Sequence, residues 1–465
     1  MDEKNSSGSK LDMVNGPILR TMILFAVPLM CSSILQLLFN AADTVVVGQF
    51  AGKTALAAVG SNGALINLLT NLFIGLSVGT NVLIAKAVGA KDTEHTGKIV
   101  HTSLVIGFFG GIILMIVGML FAENILIIMD CPSDVIDLSV TYLKIYFIGL
   151  PAMMIYNFGS AVLRAVGDTR RPLIFLSIAG VVNVIFNLFF VICLKMSVAG
   201  VAIATVISQF MSAILVVICL MKEESDIKLI PGELKIDMDS FKRILLIGIP
   251  AGLQGTLFSL SNVVIQSSVN KFGSIIQAGN AAAQNLEGFV YVAMNSFHQA
   301  TLSFTSQNVG AGRYDRTGKI LLRGIIAVFV VGLVLGGAVV LSGNQLLKIY
   351  TRNNAERSLV IKAGYNRLIV VCGTYFLCGI MDVLVGAIRG LGYSILPMIV
   401  SLVGACGLRI FWLETFFKMK IFHRPSMIYI TYPVSWALTI CAHVVCYMII
   451  RKKFMKHMQK MDFVK

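Results

Sequence analysis

Of the 465 residues, 57% are apolar and only 13% charged, with a mean hydropathy of +0.84. Soluble proteins carry about 25% charged residues, so this composition excludes a water-soluble multidomain protein and points to the membrane class. The formal charge of +15 would suit nucleic acid, but the Lys and Arg lie between apolar runs, as in cytoplasmic loops, and no nucleic-acid partner is expected.

Crossing about 30 Å of hydrocarbon takes roughly twenty helical residues. Twelve runs suffice: 18–47, 54–85, 97–121, 137–162, 172–194 and 198–221, then 243–269, 276–307, 319–342, 363–388, 393–417 and 426–450. An all-α polytopic membrane protein of 12 transmembrane helices is expected, with an N-terminal six-helix lobe (1–221), a cytoplasmic linker (222–242), a C-terminal six-helix lobe (243–450) and a basic cytoplasmic tail (451–465). The tail is expected to meet lipid headgroups. The basic segment Gly343 to Arg367 falls on the external side by this count and reads as a long interfacial loop.

The two halves repeat. VGAKDTEHTGKI (Val88–Ile99) returns as VGAGRYDRTGKI (Val309–Ile320), with seven of twelve positions identical. Pro28, Asn40 and Phe50 recur as Pro250, Asn262 and Phe272, and LRAVGDTRRP (Leu163–Pro172) is answered by IRGLGYSILP (Ile388–Pro397). A unit this long is a half-molecule, not a solenoid module. Six spans per copy is an even number, so the lobes should be related by a pseudo-two-fold axis along the membrane normal, with both termini cytoplasmic. The matched prolines remove one helical hydrogen bond each and predict bends.

Polar side chains within apolar spans are costly enough to be functional candidates. In the first span Ser33, Gln36, Asn40 and Asp43 share one helical face. The seventh span has Ile265 where Asp43 stands. Asn157, Asn183, Asn187 and Thr205 lie in the fourth, fifth and sixth spans and could surround that carboxylate with oxygens, a chemistry suited to a proton or to Na⁺, the latter held at Asp43, Asn183 and Thr205. Gln36 and Asn40, on the Asp43 face, are expected to meet substrate. In the second half Gln284, Glu287 and Tyr291 line one face of the eighth span, and Tyr375 and Asp382 one face of the tenth; these five could bind an organic cation through charge and ring faces. His298 reads as a packing residue, and Arg164 and Arg389 as anchors of helix ends.

Nine cysteines form no CxxC pair, so neither a disulfide framework nor a structural metal site is expected. The polar first seventeen residues, with Asp2 and Glu3, do not read as a signal peptide. HExxH, a nucleophile elbow and GxxxxGK[ST] are all missing, which argues against an enzyme and against an ATP-driven pump.

FNAADTVVVGQFAG around Asp43, LRAVGDTRRP, GVAIATVISQ around Thr205 and SFTSQNVGAGRYDRTGKI together resemble the multidrug and toxic compound extrusion (MATE) family, in particular its DinF-like branch. The resemblance implies two six-helix lobes, alternating access, and export of cationic or amphipathic small organic compounds; a monomer in the plasma membrane is expected. The coupling ion would be H⁺ or Na⁺, with no cofactor. It also implies a cation site at Asp43, Asn157, Asn183 and Thr205. Many members carry a second acid where this chain has Asn187. The rival reading is a flippase of a lipid-linked sugar, whose diphosphate would need a denser cationic lining.

Overall fold

Helices of up to 38 residues carry the fold, longer than the hydrocarbon requires, so they tilt, bend or protrude. The computed structural model describes residues 11–129, 131–351 and 356–462, and all regular structure there is helical. In the first copy α1 (Ile18–Val46) runs into a π-helical turn (Val47–Ala51) and is followed by α2 (Lys53–Gly89) and α3 (Thr93–Ile128). α4 (Ile136–Ile148) and α5 (Leu150–Ala165) follow, then α6 (Arg170–Leu188), which also ends in a π-helical turn, and α7 (Ser197–Met221). The second copy has α8 (Met238–Asn270), α9 (Ser274–Gly310), α10 (Tyr314–Tyr350), α11 (Arg357–Val371) and α12 (Tyr375–Gly390). A π-helical stretch (Leu402–Gly407) separates α13 (Ile395–Ser401) from α14 (Leu408–Glu414), and α15 (Pro425–Asp462) ends the chain.

Ten helical spans among the described residues are long and apolar enough to cross a membrane, and an eleventh arises if α4 and α5, bent by 46°, count as one. α9 lies outside that set because Asn280, Gln284, Asn285, Glu287 and His298 interrupt its apolar run. With it the helices match the twelve expected spans. Large apolar side chains on the outer faces, Ile113, Leu120 and Leu341 among them, are well exposed, as lipid contact requires.

The repeat is written into the backbone. α2 and α9 are both 37 residues long and begin 221 positions apart, and α5 and α12 are both 16 and begin 225 apart. Each 37-residue helix follows a glycine at positive φ, Gly52 at 89° and Gly273 at 92°, which spares the Cβ clash of the left-handed region. The turn before α3 and α10 puts Lys91 at φ 59° where its counterpart is Gly312 at 69°.

The chain divides into two compact units, but not at residues 222–242 as the sequence suggested. One unit contains Cys31–Gly252, the other Asp12–Met30 with Leu253–Lys465. The divisions fall within α1 and α8, two residues after Pro28 and Pro250. The physical reason is local packing. In unit 1 the first half of α8 lies against α2 so closely that a Cβ on Gly75 would meet Gly252 Cα at 2.2 Å, and one on Gly79 would meet the Ile244 carbonyl at 2.2 Å. Small residues permit that approach. In unit 2 the first half of α1 is held by an edge-on contact of Phe25 with Phe304, and the segment before it by Asn308 Nδ2, which donates to the Met13 carbonyl at 2.9 Å.

The segment expected as a linker is docked. His101 Nε2 accepts from the Ile230 amide at 3.0 Å, Thr102 Oγ1 accepts from the Asp237 amide at 3.0 Å, and Ile227 and Leu229 are buried. Asp237 then accepts from the Ser240 amide at 2.8 Å and caps the start of α8. The basic segment 343–367, expected on the external side, is also mostly helical, since α10 extends to Tyr350 and α11 starts at Arg357. Its Arg352 lies outside the described residues, as do Asp2 and Glu3 and the side chains of the tail beyond Phe454.

Candidate functional site

In unit 1 the polar face of α1 opens onto a cavity of about 450 Å³. Gln36, Asn40 and Asp43 line it from α1, Asn157 from α5, Asn183 from α6 and Thr205 from α7. Helical spacing explains the convergence, because residues three and four apart share a face. Asp43 is half-buried, and Asn187 Nδ2 donates to its Oδ1 at 2.6 Å. Asn183 Nδ2 donates to Thr205 Oγ1 at 3.4 Å, and Thr205 in turn donates to the Val201 carbonyl at 3.0 Å. Asn157 Nδ2 is occupied by the Met153 carbonyl at 2.9 Å.

The oxygens decide what this site can do. The side-chain carbonyls of Asn183 and Asn187 are buried and accept no hydrogen bond from the described residues, a costly arrangement unless water, another proton donor or a cation completes it. With the Asp43 carboxylate and a lone pair of Thr205 they form a set of hard oxygen donors. That set suits a proton on Asp43 or a monovalent cation; with one carboxylate it is poor in charge for a divalent ion. No cluster of three His, Cys, Asp or Glu capable of holding a metal exists among the described residues. The cavity wall also includes the stacked rings of Tyr142 and Tyr146, 6.2 Å between centroids. Sequence reasoning passed these over, since aromatic residues in an apolar span carry no distinguishing signal.

Unit 2 does not present the acidic surface the sequence suggested. Glu287 is spent in a bidentate ion pair, with Arg367 Nε and Nη2 donating to its two oxygens at 2.6 and 2.7 Å. Arg367 is 2% exposed, and its Nη1 donates to Asn280 Oδ1 at 2.8 Å. This corrects two expectations: Glu287 has no free charge for an organic cation, and Arg367 is a core residue of α11, not part of an interfacial loop. A charge pair at bilayer depth persists because each ion alone would be far more costly there. Gln284 joins the same polar chain through Gln266, at 3.3 Å.

Asp382 is buried on α12, seven residues before Arg389 on the same helix. Its backbone carbonyl accepts from His298 Nδ1 at 2.6 Å, the packing role expected of that histidine. Arg389 Nη2 donates to Gln254 Oε1 at 2.7 Å and ties α12 to α8. Tyr375 sets its ring edge-on to Trp436 at 5.3 Å, while Tyr291 is 38% exposed. The structure thus brings the unit 1 residues together around one cavity, whereas in unit 2 Glu287 is locked to Arg367. A cue to Arg367 was present: an arginine at the start of an apolar run, one period after Tyr142.

Known proteins bear on these observations. The MatE family model matches twice, over residues 28–189 and 250–412, together more than half of the chain. The probable multidrug resistance protein YoeA of Bacillus subtilis (strain 168) is 28% identical over 431 residues, covering 90% of this chain and 91% of that protein. Among solved structures, a MOP superfamily transporter from Pyrococcus furiosus Vc1 (DSM3638), whose reverse polarity of binding pocket suggests a different function, aligns with a TM-score of 0.90 at 19% identity, covering 97% of this chain and 99% of that one. A multidrug resistance MATE family transporter in an outward-facing conformation aligns with a TM-score of 0.88 at 19% identity, covering 98% and 100%. These two likenesses speak to the fold, which is that of MATE transporters. On its doubled family match, its repeat and its polytopic helices, the chain belongs to the MatE family.

Proposed function

We propose that the protein is a secondary antiporter that exports amphipathic organic compounds by alternating access, driven by inward movement of H⁺ or Na⁺. The observation that carries this reading is the set Asp43, Asn183, Asn187 and Thr205, one carboxylate beside two buried amide oxygens without donors. A site whose only charge can be neutralised by a proton or a cation stabilises different conformations in its loaded and empty states, provided the ion binds the two with different affinity. The name of the Bacillus relative, a probable multidrug resistance protein, supports the cargo class. Gln36 and Asn40, on the wall shared with Asp43, would meet cargo. The distribution of Lys and Arg supports cytoplasmic termini in the plasma membrane, and each unit holds its own polar interior, which suits a working monomer. A lipid-linked diphosphate is less well served by the unit 1 cavity, whose lining residues include no Lys or Arg.

The test is dye transport in proteoliposomes with a Na⁺ or a proton gradient imposed alone. One of the two gradients should drive accumulation of an ethidium-like cationic dye or of an anionic aromatic dye, each tried in turn. Failure of both, with protein shown to be folded and inserted, would remove the antiporter reading.

A further inference from the structure

The interior of unit 2 holds more guanidinium than carboxylate. Arg367 is matched by Glu287, and Arg389 has Asp382 seven residues earlier on the same helix. Arg409 on α14 has no acidic partner among the described residues. It is 7% exposed, and its Nε donates to Ser435 Oγ at 2.8 Å. Its guanidinium carbon lies 4.2 Å from the centre of the Tyr432 ring and 5.5 Å from that of Trp436. Trp436 meets Tyr432 at 5.7 Å and Tyr375 at 5.3 Å, both edge-on, so two rings border the cation and a third packs behind them. Among the described residues no acceptor bonds either terminal nitrogen of Arg409, and neither is among the sealed polar atoms without partners.

An arginine is costly at this depth, and the face of a ring returns less than that cost. The rings therefore offset part of that cost and leave the fork of terminal N–H groups without acceptors. That fork matches the paired oxygens of a carboxylate, sulfonate or phosphate, and rings beside it offer stacking area to an aromatic body. Glu287 cannot serve as the counter-ion, because both of its oxygens are taken by Arg367.

We propose that Arg409, with Tyr432, Trp436 and Tyr375, forms a binding site for the anionic group of an aromatic amphiphile. This deepens the exporter reading by giving the cargo a charge class, and it rests on that reading only in calling the ligand a cargo.

The chain has two tryptophans, so Trp412→Phe leaves Trp436 as the sole reporter beside Arg409. The probes are three nitroaromatic quenchers on one frame, 4-nitrobenzoate, 4-nitrobenzyl alcohol and 4-nitrobenzylamine, titrated against the full-length protein in neutral detergent. The carboxylate should half-saturate quenching of Trp436 at a concentration at least ten-fold lower than the alcohol or the amine. Arg409→Gln should erase that preference, and Arg409→Lys should retain part of it. Equal quenching by carboxylate and amine would overturn the proposal without recourse to any Arg409 variant. So would a folded Arg409→Gln protein with its preference intact. Loss of the carboxylate signal on adding dioleoylphosphatidylglycerol, but not phosphatidylcholine, would assign the arginine to a lipid headgroup and also overturn it. Carboxylate-selective binding in a protein that shows no gradient-driven efflux would leave this site standing and sink the exporter reading.

Discussion

Between the two copies, equivalent positions carry different chemistry on one backbone. On the 225-residue spacing that relates α5 to α12, Asn157 corresponds to Asp382, Arg164 to Arg389, and Tyr142 just before them to Arg367. On the 221-residue spacing that relates α2 to α9, Ile66 corresponds to Glu287. Tyr142 and Ile66 line the cavity of unit 1, whereas Arg367 and Glu287 close on each other in unit 2. A duplicated frame therefore does not impose a duplicated site. The one carboxylate among the residues lining the unit 1 cavity accepts from an amide and has no ion pair among the described residues, while Glu287 of unit 2 is held in a fixed pair.

The comparison breaks most sharply at Asp43. Asp43→Asn should abolish gradient-driven dye efflux while leaving expression and dye binding close to wild type, as measured in proteoliposomes and by dye anisotropy. Glu287→Gln should instead act on stability. Leaving Arg367 buried and unpaired should cost about 3–5 kcal/mol, and replacing the pair together, Glu287→Gln with Arg367→Met, should recover much of it. Thermal unfolding in detergent reads both. If Glu287→Gln unfolds like wild type yet loses transport, the pair is functional and the contrast between units fails.

Smaller effects sharpen the picture. Gly75→Ala, whose Cβ would strike Gly252 backbone, should destabilise unit 1 by about 1–3 kcal/mol, whereas Gly337→Ala, with nothing within 4 Å, should be neutral or slightly stabilising. Asn187→Ala removes the donor to Asp43 and should shift the pH or Na⁺ dependence of efflux without abolishing it. Asn187→Asp, which adds a second acid, should alter ion dependence in the other direction. The smallest effect is expected at Asp237, outside the membrane spans. Its hydrogen bonds with Ser240 hold the carboxyl below the ordinary range near 3.8. A depressed carboxyl stabilises the fold fully above its ordinary value and loses that contribution as pH falls through its folded value. Asp237→Asn should therefore flatten the acid limb of the unfolding profile; an unchanged limb would show that the cap carries no such linkage.

Much of this was legible in the sequence because helical periodicity and apolar length are local properties. The spans, the repeat and the convergence of Asp43, Asn157, Asn183, Asn187 and Thr205 follow from which residues share a helix face. The unit boundaries were not legible, since Pro28 and Pro250 announce a bend but not which neighbour each half-helix packs against; that is decided by Gly75, Gly79, Gly248 and Gly252, small residues with no motif of their own. Unit 2 was misread for a related reason. Glu287 and Arg367 lie 80 positions apart, and nothing within either helix reveals that they meet. Arg409 passed unremarked inside an apolar span, where its position alone, at a depth that charges avoid, was the available cue.

The central claim is that one carboxylate in unit 1 exchanges the driving ion. The most direct measurement is the flux of that ion, Na⁺ or H⁺, that accompanies dye export from proteoliposomes, taken for wild type, Asp43→Asn and the Glu287→Gln/Arg367→Met pair. The account predicts ion flux in fixed proportion to dye for wild type and for the pair variant, and none for Asp43→Asn. Dye-coupled flux that survives Asp43→Asn, or vanishes only in the pair variant, would contradict it.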